Sequence, residues 1–232
     1  MKRIITIALS VFMASPALAA DRPVVLELFT SQSCDSCPAA DAYLRQLSVE
    51  SNVLALSYHV DYWNDLDWKD TYSSPAHTSR QRTYLQTLNE KDLYTPELIV
   101  DGARSAVGSR VSAVTDALRA ANTDKVDVPM TLAADTKANV LKIHIGALPN
   151  TLPKAEVIAI RYLRNATTDV KSGENRGKKL STINNVSEMK TLGVWNNQAA
   201  DYQVALNTKP EEGMAIILQA VGQGRILGAA NQ

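Results

Sequence analysis

From Pro23 to Phe29 the chain is apolar apart from Glu27, and the stretch predicts a central β-strand. At a period of two, Val25, Glu27 and Phe29 share one face, and Val24, Leu26 and Leu28 share the other. Ala39, Ala40, Tyr43, Leu44 and Leu47 then follow the spacing of one helical face. Val53 to Val60 is nearly continuously apolar, which predicts a second strand buried on both sides. Ser79 to Leu88 predicts a helix with Tyr84, Leu85 and Leu88 as its apolar stripe. The Thr95-Pro96 step opens a further strand. Asp101-Gly102 turns that strand into Ser105-Ala106-Val107-Gly108, and Val111 to Ala121 predicts a closing helix.

Beyond about residue 124 the period changes. Val128, Met130 and Leu132 alternate with polar neighbours, as do Leu141, Ile143 and Ile145, and Val204 with Leu206. Val157 and Ala159 alternate with Ile158, Ile160 and Tyr162, and Met214 to Val221 is an apolar run that turns at Gly222-Gln223-Gly224. Short strands with turn residues between them predict an antiparallel sandwich over 125–232, either a separate domain or sheets packed on the first part. The fold class is therefore an α/β unit over 20–124 followed by a β-rich C-terminal part.

The first residues read as a leader rather than as structure. Lys2 and Arg3 precede an apolar run from Ile4 to Met13, and Ala17-Leu18-Ala19 is a small-x-small cleavage site, so 1–19 is expected to be a cleaved signal peptide. No later stretch is apolar enough to span a bilayer. A periplasmic or secreted protein without stable membrane insertion is expected. The 24 basic and 24 acidic residues form no basic stripe, which argues against nucleic acid as a partner.

The two cysteines, Cys34 and Cys37, form a Cys-x-x-Cys motif between the first strand and the first helix. A disulfide closing so short a loop removes little unfolded-state entropy, so stapling is a weak reason for it. A thiol at a helix N-terminus is favoured as the thiolate, the form that attacks disulfides. Cys34 is then the attacking and more exposed sulfur, Cys37 the resolving one, and Pro38 suits an early helical position. Asp35 opposes thiolate formation, while the Ser36 hydroxyl favours it as a donor. Glu27 has two readings: a desolvated proton acceptor for Cys37, or a glutamate facing water at the strand edge.

Val53–Val60 ends in a polar and aromatic cluster: His59, Asp61, Tyr62, Trp63, Asn64, Asp65, Trp68, Lys69 and Asp70. Two of the three tryptophans lie in this inserted loop, at about 61–77, which should emerge on the same sheet edge as the cysteines. The aspartates lack the spacing of a calcium loop and read as surface charge. Gly173-Glu174-Asn175-Arg176-Gly177 is a polar loop. Its Glu174, Asn175 and Arg176 either reach the first domain's site or form an ordinary hairpin tip.

Strand, Cys-x-x-Cys, helix, strand, long insertion, Thr-Pro strand, hairpin and helix together resemble a thioredoxin fold. Thr95-Pro96 matches the place where that superfamily carries a cis-proline facing the cysteine pair. More narrowly, Glu27 to Cys34, His59 to Trp63, Trp68-Lys69-Asp70, Arg80-Gln81 and Tyr94-Thr95-Pro96 resemble the exported thioredoxin-like family catalogued as domain of unknown function 1223. The likeness extends over most of the mature chain and includes the Gly173–Gly177 loop. Asp67 stands where the family pattern would have glycine, and Thr71 where it would have proline.

Three functions are compatible with these residues. The first is thiol-disulfide exchange, with Cys34, Cys37, Glu27, Thr95 and Pro96 as the catalytic set. His59, Asp61, Tyr62, Trp63, Trp68, Glu174, Asn175 and Arg176 would bind the substrate, a protein or small-molecule thiol or disulfide. No cofactor beyond the redox-active disulfide is called for. The second is a copper or zinc site using the same cysteines with His59, for which the ligand count falls short. The third is a binding module whose dithiol is idle.

Overall fold

The computed structural model describes residues 22–64, 67–148, 152–206 and 209–232. Chain order is β1 (Val24–Thr30), α1 (Cys37–Leu47), β2 (Val53–His59), α2 (Pro75–Thr87), β3 (Glu97–Val100), β4 (Arg104–Val107) and α3 (Val111–Asp124). There follow β5 (Met130–Asp135), β6 (Val140–Ile145), β7 (Ala155–Asp169), β8 (Lys179–Trp195), β9 (Ala200–Ala205), β10 (Glu212–Ala220) and β11 (Ile226–Asn231). The leader pattern at 1–19 lies outside the described residues.

All seven residues of β1 are buried, as its apolar run requires. It pairs parallel with β2 and antiparallel with β3. Its two faces serve two cores. Val24, Leu26 and Leu28 pack with Ala40 and Leu44 of α1 and Val114 and Ala121 of α3. Val25 and Phe29 pack with Leu56 and Tyr58 of β2, Tyr84 of α2, and Ile160, Ile217 and Ile226 from the C-terminal half. One core thus draws on both halves of the chain.

The sheet is continuous as well. Its order is β11-β10-β7-β8-β2-β1-β3-β4, with β8 joined to β2 through the Ser57 and Asn185 pairing. It is mixed and mostly antiparallel. The sheet curls until Ile226, at the start of β11, donates its N–H to Asp101 O just past β3 (2.9 Å). A second sheet, β5-β6-β9, lies over β7, β10 and β11 through Leu141, Ile143, Ile145, Val157, Ile216 and Trp195. Its alternating burial matches the period of two along β6.

Two boundaries differ from expectation. Helix α2 begins at Pro75, four residues before the expected start at Ser79, because Ser74 caps it by accepting from Ala76 N and Pro75 fills the first turn. The hairpin β7–β8 is much longer than the short strands expected there, 15 and 17 residues. Beyond Asn185 it projects past β2 toward α1, where Arg45 bonds Asn165, Ser181 and Thr182 O. This arm carries the Gly173–Gly177 loop to the end of β1.

Candidate functional site

Strand β1 ends at Thr30, and a tight loop leads to α1. Cys34 N–H donates to Ser31 O and Cys37 N–H to Cys34 O, so the two cysteines bracket one turn and form a disulfide with Cα atoms 5.4 Å apart. The helix starts at Cys37 rather than Cys34, with proline in its first turn. No side chain caps it at Ser36, which leaves the positive end of its dipole to the cysteine loop. The Ser36 hydroxyl lies 3.4 Å from Cys34 Sγ and is the donor of that contact, since a disulfide sulfur carries no proton.

The Thr95–Pro96 bond is cis, and Pro96 immediately precedes Glu97, which pairs with Phe29 near the end of β1. A Cβ on Gly108 would meet Leu28, Ala40 and Pro96, so the proline packs at the base of α1. Trp63 Nε1 donates to Thr95 Oγ1 at 2.9 Å, which ties the aromatic loop to this edge.

Gln32 is the hub of the cover over the cysteine loop. Its N–H donates to Asp70 Oδ2 (2.7 Å), its carbonyl oxygen Oε1 accepts from Trp68 Nε1 (2.9 Å), and its Nε2 donates to Thr168 Oγ1 (3.0 Å). Ser33 Oγ donates to Trp68 O (2.8 Å). From the hairpin tip, Asn175 Nδ2 donates to both Gln32 O (2.9 Å) and Cys34 O (2.8 Å), and Lys178 Nζ holds Asn175 Oδ1. Gly173 and Gly177 take φ of +74° and +80°, which shapes the tip, and a Cβ on Gly173 would touch Trp68.

Cys34 is consequently only 2% exposed and Cys37 fully buried, so both lie under the cover and the greater exposure expected of the first is slight. Of the three tip residues, Asn175 alone reaches the cysteines; Glu174 and Arg176 are exposed. Asn175→Ala removes three hydrogen bonds from the cover, two of them to the cysteine loop. It is expected to lower stability by about 1–3 kcal/mol in urea titration and to speed reduction of the disulfide by dithiothreitol.

The aromatic loop folds inward on polar anchors. His59 Nδ1 and Asp70 Oδ2 are 2.7 Å apart and both buried. Burial alone would lower the His59 pKa, but the Asp70 carboxylate more than reverses it and holds it raised. Burial likewise pushes Asp70 up, and His59 with the N–H groups of Gln32 and Tyr72 brings it below the carboxylate range. Asp70 is therefore a buried anchor, which corrects its reading as surface charge. Asp61 accepts from Thr78 Oγ1 (2.5 Å), and burial pushes the Tyr62 phenol up to about 12. His77 Nδ1 donates to His59 O, and burial lowers its pKa to about 4. Asp65 lies outside the described residues. Among the described residues no three His, Cys, Asp or Glu side chains converge as a metal-ligand set.

Glu27 is not with the cysteines. It lies on the Val25 and Phe29 face of β1, while α1 packs on the opposite face. Its carboxylate is fully buried and held by Arg80 Nε (2.5 Å), Arg80 Nη2 (2.9 Å) and Tyr84 OH (2.6 Å). Gln219 completes the network by accepting from Arg80 and donating to Tyr84 OH. Neither the water-facing reading nor the proton-acceptor reading describes it, because an arginine one helix away takes both oxygens.

Asp41 was missed. It is 6% exposed and lies on the buried stripe Cys37, Ala40, Asp41, Leu44 of α1. A carboxylate at i+4 from the second cysteine, inside an apolar stripe, was the signal that could have found it. Burial raises its pKa from 3.8 to about 6, partly offset by His59 and Thr30. The native state therefore holds an extra proton between those two values, and this group's contribution to stability falls as pH rises through that window. Asp41→Asn is expected to raise stability by roughly 2–3 kcal/mol at pH 7 and by little near pH 3. His77 slopes the other way between 6.5 and about 4, so the variant must be compared with the parent at each pH.

The fold and site define a mixed α/β protein with a covered Cys-x-x-Cys disulfide at the end of its central strand. The chain belongs to the family described as protein of unknown function (DUF1223), whose profile matches residues 25–219. It is similar to the crystal structure of protein AGR_C_4864 from Agrobacterium tumefaciens, at 32% identity and a TM-score of 0.79, over 91% of this chain and 94% of that one. A likeness in fold extends to HBP35 of Porphyromonas gingivalis, at 13% identity and a TM-score of 0.59, over 91% of this chain and 75% of that one. No curated protein matches the chain.

Proposed function

We propose that the protein is a thioredoxin-like thiol-disulfide oxidoreductase, exported to the periplasm or beyond, that passes electrons through Cys34 and Cys37. The observation that carries this reading is the Cys34–Cys37 disulfide closed between the end of a central parallel strand and the first turn of an uncapped helix, with a cis-proline packed at the same helix base. Helix start and dipole stabilise a thiolate at the first sulfur. Thr95, Pro96 and Trp63, linked by the Trp63–Thr95 hydrogen bond and the cis peptide, would form the rim against which a substrate thiol or disulfide lies. Export is supported by the leader pattern and by a disulfide as the state of both cysteines. Among the described residues no helix is long and apolar enough to cross a membrane.

A second reading, a binding module with a structural disulfide, is favoured by the burial of both sulfurs under the hairpin tip. Equilibrating the mature protein in glutathione buffers separates the two. Exchange chemistry requires a reversible couple within the span of known exchange proteins, roughly −270 to −120 mV. A disulfide that can be reduced only by unfolding the protein would overturn the exchange reading.

A further inference from the structure

Thr30 Oγ1, Asp41 Oδ1, Ser57 Oγ, His59 Nε2 and both polar atoms of the Asn185 amide are buried without a hydrogen-bond partner. They belong to one place. Thr30 and His59 are register partners across β1 and β2, and Ser57 and Asn185 are partners across β2 and β8. Thr30, Ser57 and His59 continue the alternation of Leu26, Leu28 and Ala55, which face α1. Asp41 stands one helical turn beyond Cys37 on the buried stripe of α1. The Thr30 hydroxyl bears on Asp41, and the Asn185 amide on His59, without completing a hydrogen bond.

A buried polar atom left unpaired is costly, and protein interiors leave few of them. Five residues from four adjacent elements in this condition, directly behind a dithiol, call for a functional explanation. We propose that this cluster is the proton-accepting site of the resolving cysteine, with the Asp41 carboxylate as the acceptor. The proposal rests on the exchange reading above, and it moves the role expected for Glu27 to the other face of the sheet.

The step balances as follows. The Cys34 thiolate attacks a substrate disulfide and releases one substrate thiolate, leaving a mixed disulfide on Cys34. The Cys37 thiol gives its proton to the Asp41 carboxylate. Its sulfur electron pair forms the bond to Cys34 Sγ, and the bond from Cys34 to the substrate sulfur breaks, its pair leaving with the second substrate thiolate. The substrate gains two electrons and the dithiol loses two; the oxidised protein runs the reverse.

Asp41 also lines a groove with Pro38, Ala42, Arg45, Gln46 and Lys179, so the proton has a route to water beside the helix. The charged groups bearing on Asp41 are His59 and Asp70 from beneath and Arg45 on its own helix, and Lys179 of β8 lines the same groove. His59, fixed by Asp70 at Nδ1, turns a cationic environment toward the carboxylate once it ionises. His59 and Asp70 are positioning residues here, and Asp41 is the group that takes the proton.

The test uses the reduced mature protein and a chromogenic aryl disulfide, dithiobis-nitrobenzoate. Two coloured thiolates are released in sequence, the first by Cys34 and the second by Cys37. In Asp41→Asn the first phase should be unchanged while the second slows about 100-fold at pH 7. The second phase should also climb about tenfold per pH unit toward the free thiol's own titration near 8.5, instead of levelling off. Asp41→Glu, which keeps the carboxylate, should recover part of the rate. A second phase unaltered in rate and pH profile, or equal slowing of both phases, overturns the proposal. A parent protein with no first phase overturns the exchange reading itself, which is a different result. Asn at this position is expected to stabilise the fold, so misfolding does not mimic the predicted loss.

Discussion

Cys34→Ser is expected to abolish disulfide exchange, and Cys37→Ser to arrest it halfway as a mixed disulfide on Cys34. The asymmetry follows from position. Cys34 lies in the loop ahead of α1, with the uncapped end of the helix and the Ser36 hydroxyl beside its sulfur. Cys37 is the first helical residue and fully buried, on the stripe that faces the sheet. In the exchange reading the first, the less deeply buried of the two, meets the substrate sulfur and the second releases it. Closing a four-residue loop is worth no more than about 2 kcal/mol, so both variants should stay folded and the effects should be chemical. Reduction of a protein disulfide with a thiol donor measures the loss, and mass spectrometry of Cys37→Ser with its substrate shows the trapped species. A Cys34→Ser protein as active as its parent would remove the dithiol from the chemistry.

Arg80→Met is expected to cost about 3–5 kcal/mol. Burial works against the guanidinium's charge, and the Glu27 carboxylate more than reverses this, holding the Arg80 pKa well above its ordinary value. Removing Arg80 leaves the Glu27 carboxyl fully buried, without its cation and short of two donors. Tyr84 and Gln219 then lose a partner each. Replacing both members, as in Glu27→Leu with Arg80→Met, should return most of the loss, because no buried charge is stranded. Urea titration of the three variants checks both claims. A single-variant loss below about 1 kcal/mol would mean that water reaches the pair.

The polar interior explains why helix α2 was only partly legible. Its buried face is His77, Thr78, Arg80, Gln81 and Tyr84, so a search for apolar periodicity finds its C-terminal end and misses its start. Each of those polar residues is internal because a partner is supplied from elsewhere: His59 O for His77, Asp61 for Thr78, Glu27 for Arg80 and Glu97 for Gln81. Asp70 looks like surface charge in the sequence for the same reason, because its partners His59 and the Gln32 N–H come from elsewhere in the chain.

What the sequence determined by itself was local. Six apolar or half-apolar residues out of seven made β1 a central strand, Cys34 and Cys37 fell between strand and helix close enough to pair, and Asp101-Gly102 closed the β3–β4 turn. These depend on neighbours within a few residues, where period and backbone preference act directly. Only the tertiary structure decided which polar side chains are internal and what they face. Glu27 meets Arg80 across 53 residues, and Asn175 meets the carbonyl of Cys34 across 141. A carboxylate or amide is stable in the interior only when another part of the chain brings its hydrogen-bond partner. That condition belongs to the folded arrangement, and it set Glu27 against Arg80 on one face of β1 and Asp41 on the buried stripe of α1 over the other.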